Sequence, residues 1–209
     1  MAEPKPRQRR ADGELSRSRI LDAATEIAAE RGYEGTSIGL VSKKCGLPAS
    51  SIYWHFKDKD DLIAAVIERS FGRWLSAWRP PENGAVKDRF VGLAERAAKA
   101  YLDSPDFIGL GLMLALERRP VEPRGRTMFI QVRAQAFEQL LDFFADAMPE
   151  LTDADMHQLA TYAMAGADGL FIAKEIGGDA VDLLGMAELH GRALYDTARR
   201  LVKERSVKR

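Results

Sequence analysis

Ser50, Ser51, Tyr53, Trp54 and His55 crowd one short stretch of the chain, and each can hydrogen-bond or stack. Hydroxyls donate to base edges and to phosphate oxygens, while aromatic rings pack on sugars and thymine methyl groups. Ile52 and Phe56 lie four apart within the same stretch. On a helix that spacing puts both on one face, turned inward, and leaves Ala49, Ser50, Ser51, Tyr53, Trp54 and His55 pointing outward. Thr36, Ser37, His55 and Lys59 suit a second task, the holding of phosphates. The first two would offer helix N-terminal amides as well as hydroxyls.

Two short helices must position these groups. Ile38 and Val41 share one side of the first, which closes at Cys45-Gly46, where glycine takes a left-handed conformation without steric penalty. Pro48 opens the second, its ring already fixed near helical φ and its missing N–H no loss at a helix start. The unit is a helix-turn-helix. A longer helix over 17–31 packs behind it, with Ser16 as cap, Ile20, Ala23, Ala24, Ile27 and Ala28 on one face, and Gly32 as stop. Asp58, Asp60 and Asp61 gather at the start of a fourth helix, where the helix dipole favours acid.

These residues resemble the TetR family of bacterial transcriptional regulators. The likeness rests on the 38–44 helix, the Gly46-Leu47 turn, the run Ser51-Ile52-Tyr53-Trp54-His55-Phe56, and Lys57-Asp58-Lys59-Asp60-Asp61-Leu62 after it. It covers 17–71; beyond that the likeness is of architecture alone. The resemblance implies an all-α fold with an N-terminal three-helix DNA-binding head and a C-terminal ligand-binding and dimerisation bundle, about nine helices in all. It also implies double-stranded DNA as partner, read as a palindromic operator by a homodimer, and release of a repressor by a small apolar or amphipathic effector. The contrasting reading is a constitutive or architectural DNA-binding protein without ligand control.

Downstream the periodicity stays helical. The fourth helix keeps Leu62, Ile63, Val66, Ile67, Phe71, Trp74 and Trp78 in register and stops at Pro80-Pro81. Further helices are expected over 86–102, 106–117, 127–148, 153–175 and 182–202, with prolines or Gly177-Gly178 between them. The expected divisions are a flexible basic arm at 1–16, the head at 17–62, the bundle at 63–203 and a tail at 204–209. Helix 153–175 is apolar over two stripes, and its small residues Ala163, Ala165, Gly166, Ala167 and Gly169 would admit another helix closely. In TetR-like proteins the last two helices form the dimer interface.

The aromatic and methionine residues of the bundle make an ordinary core and, together, a candidate cavity: Trp74, Trp78, Phe107, Met113, Phe129, Phe137, Met164 and Phe171. Glu117, Arg133, Tyr162 and Asp168 are its polar candidates. Three roles stay open for Asp168: ligand anchor, dimer hydrogen-bonding group, or solvent-facing acid.

Composition narrows the field further. The 209 residues are 46% hydrophobic and 30% charged with zero formal net charge, ordinary for a globular protein. Lys5, Arg7, Arg9, Arg10, Arg17 and Arg19 outweigh Glu3, Asp12 and Glu14 near the head, a local surplus suited either to phosphates or to a solvated tail. A single cysteine, Cys45, excludes an internal disulfide and reads as a packing residue. No apolar run approaches a membrane span, so a cytoplasmic setting without membrane contact is expected. His55, His157 and His190 share no ligand spacing, and no serine sits in a nucleophile elbow, so neither a metal, a cofactor nor an enzyme active site is expected.

Overall fold

A computed structural model describes residues 6–77, 83–117 and 120–208. They fold as α1 (Pro6–Gly35), α2 (Ile38–Cys45), α3 (Ala49–His55), α4 (Lys59–Ala77), α5 (Val86–Asp103), α6 (Asp106–Leu116), α7 (Arg124–Ala147), α8 (Asp153–Gly177) and α9 (Leu183–Lys208). A single 3-10 turn over Gly178–Ala180 precedes α9, and the described residues contain no strand. The all-α expectation is met. No described helix is long and apolar enough to cross a membrane.

Both chain ends depart from expectation. α1 begins at Pro6, so the expected arm is helical from there, and Ser16 is no cap: its Oγ donates to the Asp12 carbonyl at 2.9 Å inside the helix. Gly32, with φ 68 and ψ −176, breaks the helix without ending its hydrogen bonding, which resumes to Gly35. At the other end α9 runs through the expected tail to Lys208. Arg205 pairs there with Asp155 at 2.7 Å, a partner far away in sequence that no local pattern displays.

By contacts the chain divides into Met1–Ser70 with Gly109–Gln131, and Phe71–Ile108 with Val132–Arg209. The first unit thus extends past the expected boundary at residue 62. A reason is packing at Gly125, where an added Cβ would lie 3.2 Å from both Ile63 and Leu114. That unit buries Ile20, Val41, Ile52, Leu62, Ile67 and Phe129. The second buries Phe90, Tyr101, Phe144, Leu159, Leu194 and Ala198. Within it α5 and α9 approach so closely that a Cβ on Gly191 would sit 2.7 Å from the Val91 Cα. Glycine there is required by backbone proximity.

Candidate nucleic-acid interface and apolar cavity

The turn that aims α3 is fixed from three directions. Gly46 sits in the left-handed region (φ 68, ψ 20) and its N–H donates to the Ser42 carbonyl, closing α2. The Ser42 hydroxyl donates across the turn to the Leu47 carbonyl at 2.7 Å. Arg19 of α1 donates to the Cys45 carbonyl, also at 2.7 Å. These bonds satisfy carbonyls that a helix end leaves orphaned. At the other end of α2 Ser37 is the N-cap, its Oγ accepting from the Leu40 N–H at 3.3 Å.

α3 is anchored by Ile52 and Phe56, 0% and 3% exposed. On its opposite side Tyr53 is 56% and Trp54 77% exposed, an unusual disposition for large rings. Ser50 is exposed beside them, while Ala49, Ser51 and His55 are half-buried. Trp54 stands edge-on to His55 with ring centres 4.6 Å apart, and α1 passes close enough that a Cβ on Gly13 would lie 3.9 Å from the Trp54 ring. Arg17 lies 5.3 Å over the Phe56 ring. Burial, and then the Arg17 charge, push the His55 pKa down.

Two expected phosphate ligands are spent inside the chain. Thr36 is 1% exposed and its hydroxyl donates to the Gly32 carbonyl at 2.8 Å. Lys59 donates to the Tyr33 carbonyl at 3.2 Å, lies 3.5 Å from Glu34 and sits 4.2 Å over the Tyr33 ring. Sequence could not separate Lys59 from a free lysine, because its partners lie at the end of α1, far from it in sequence. Lys43 and Lys57 are exposed and form no salt bridge among the described residues. Lys57 was legible in principle, since it directly follows inward Phe56 and must emerge on the side of α3.

The second unit holds a partly open apolar cavity of about 70 Å³ between α4, α5, α6, α7, α8 and α9, walled by Phe71, Trp74, Phe90, Val132, Leu140 and Phe171. The small side chains of Ala94, Ala97 and Ala167 leave the space open. Arg133 and Asp168 close part of the wall with two parallel hydrogen bonds, at 2.9 and 2.6 Å. His190 also lines it; its Nε2 lies 3.1 Å from the Ala163 carbonyl, and burial lowers its pKa despite that bond. Of the expected lining, Trp74, Arg133, Met164, Asp168 and Phe171 are present. Met113 is instead 53% exposed in the first unit, and Phe129 is buried there against Gly111. Phe137 faces a separate open groove. Trp78 and the Phe107 side chain lie outside the described residues.

The outer face of α8 carries Tyr162, Ala165, Gly169, Ile172 and Ile176 at alternating three- and four-residue spacing, with Ile176 83% exposed. Gly169 has nothing within 4 Å of an added Cβ. Gly166 does not belong to that face: an added Cβ would strike the ring of His190 in the same chain.

Residues 20–66 match the family model for bacterial regulatory proteins of the tetR family, the segment that carries α2 and α3. Over that segment the chain is similar to the TetR family. One curated relative is the HTH-type transcriptional repressor Rv1353c of Mycobacterium tuberculosis, 31% identical over 112 residues, covering 54% of this chain and 43% of the relative. The match thus spans less than half that relative's length. Among solved structures, the fatty acid degradation regulator FadR of Bacillus halodurans superposes with TM-score 0.71 at 16% identity, over 92% of this chain and 96% of that one. FadR of Bacillus subtilis, solved in complex with stearoyl-CoA, gives TM-score 0.69 at 17% identity over 86% and 96%. At such identities the likeness of these structures to the chain is one of fold.

Proposed function

We propose that the chain is a TetR-family repressor that reads a palindromic operator as a homodimer and leaves it when a small apolar or amphipathic molecule enters the cavity of the second unit. The observation that carries the reading is α3 itself: two large rings held out to solvent on a helix whose opposite face is sunk in the core. Tyr53, Trp54, Ser50 and Ser51 would read base edges and thymine methyls, with Ala49 allowing close approach. Ser37, Lys43, Lys57 and the half-buried His55 would hold phosphates.

Dimerisation is proposed through the outer face of α8 together with α9, where the chain leaves Ile172, Ile176, Met186 and Leu189 exposed. A two-fold axis through that face would give each dimer two heads, and hence an inverted repeat. The cavity is the proposed effector site because it is apolar yet edged by one charged pair. Ligand pockets usually hold about 300–1,000 Å³. A bound molecule must therefore widen this one, and widening is the structural change that would be coupled to DNA release. A coupling of about 1–3 kcal/mol would give a roughly 5–150-fold loss of operator affinity.

A mobility shift of the full chain on the DNA upstream of its own coding sequence, repeated over a compound library, tests the reading. A shifted band that resists random competitor DNA and yields to a compound supports it. Retention equal to that on random DNA would replace it with the architectural alternative.

A further inference from the structure

We propose that the Arg133–Asp168 pair is the gate of the cavity and that the molecule it admits is an amphipathic cation, an apolar body bearing one ammonium group. This rests on the reading of the cavity as a ligand site and adds the chemistry of what enters. Arg133, Met164 and Asp168 line two spaces at once: the apolar cavity, and an open groove beside Phe137, Glu138 and Thr161. They are the wall between the two. The bidentate pair occupies that wall half-buried, its side chains 25% and 21% exposed.

The two partners differ in the reach of their side chains. Arginine has a long flexible stem and can carry its charge out to water while its methylenes stay on apolar surface. Aspartate holds its carboxylate one carbon from the backbone and cannot follow. When the pair opens, the guanidinium swings away and the carboxylate stays at the mouth, so the vacated position is one for a cation. Glu138 adds a second carboxylate to the groove, giving two acids against one base along the path. Beyond the gate stand the rings of Phe71, Trp74, Phe90 and Phe171, apolar surface for the body of the molecule. An anion would instead have to displace Asp168 from Arg133 and leave a half-buried carboxylate unpaired, which is costly.

Calorimetric titration of the full chain at pH 7 with decylammonium, decanoate and decanol tests this, because the three share one tail. Decylammonium is expected to bind at least about tenfold more tightly than decanol, with decanoate weakest. Asp168→Asn should erase the preference while decanol still binds, which also shows the cavity intact. Arg133→Met should strengthen decylammonium binding, because it removes the competitor for the carboxylate. Opposite signs for the two variants distinguish a gate from a merely structural ion pair. Ala167→Trp, which fills the cavity, should abolish binding of all three. Equal binding of decylammonium and decanol, or loss of both in the two gate variants alike, overturns the cationic assignment and leaves the cavity as a ligand site. Failure of all three probes to bind the unmodified chain overturns both.

Discussion

Two tryptophans separate the roles of the two units. Trp54 in the head is 77% exposed, and Trp74 in the second unit is 8% exposed at a cavity wall. Exposing an indole forgoes the burial that normally places such a ring inside, so a rigid helix that does so is shaped for an external surface. Enclosing one beside empty space forgoes packing contacts instead, so a core that does so is shaped for an internal guest. The same chain leaves stability unclaimed in two places, which supports the proposed occupants: a DNA groove in one case, a small molecule in the other.

Neighbouring positions of α3 give the sharpest contrast and the largest effect. Ile52→Ala removes a fully buried side chain and should cost about 2–5 kcal/mol, seen as a lower urea midpoint. Tyr53→Ala, one residue along, should leave that midpoint within about 0.5 kcal/mol. A similar loss in both would mean that Tyr53 is core in solution.

On the outer face of α8, Gly169→Arg adds charge where the single chain offers no obstacle, so it should leave folding intact but give a monomer by sedimentation, with weakened operator binding. Gly166→Arg should instead destabilise each chain by colliding with His190. A Gly169→Arg dimer as stable as the parent would move the interface elsewhere.

Between the two lysines, Lys57→Ala should reduce the slope of log affinity against log salt by about one, the signature of one phosphate contact. Lys59→Ala should leave the slope nearly unchanged, because that ammonium is already held by α1. Equal slopes for both variants would contradict the division.

The smallest effect is on pH. His190 and His55 both have pKa values lowered mainly by burial. Their unfolded forms therefore take up protons first as pH falls through about 6.5, so stability is full above that pH and declines toward the lowered folded values. His190→Gln should flatten the decline without touching DNA recognition. An unchanged pH profile in that variant would show the imidazole to be hydrated.

The head was legible in sequence because what builds it is local. Ser37 caps a helix three residues on, Gly46 bonds back to Ser42, and the inward pair Ile52 and Phe56 is one turn apart. The second unit's site was legible only as a list of apolar residues. Its defining contact joins Arg133 to Asp168, on two helices that periodicity cannot bring together. Met113 and Phe129 have the composition of a cavity wall and sit in the other unit. Lys59 was hidden for the same reason, since its ammonium is held by Tyr33 and Glu34 from the end of α1.

Selection from random double-stranded DNA, run in parallel on the unmodified chain and on Tyr53→Ala, bears most directly on the proposal that α3 is a reading helix. The unmodified chain should enrich an inverted repeat with half-sites about one helical turn apart, and Tyr53→Ala should enrich a different or degenerate sequence while remaining folded. Enrichment of the same repeat by both proteins, at the same affinity, would contradict it.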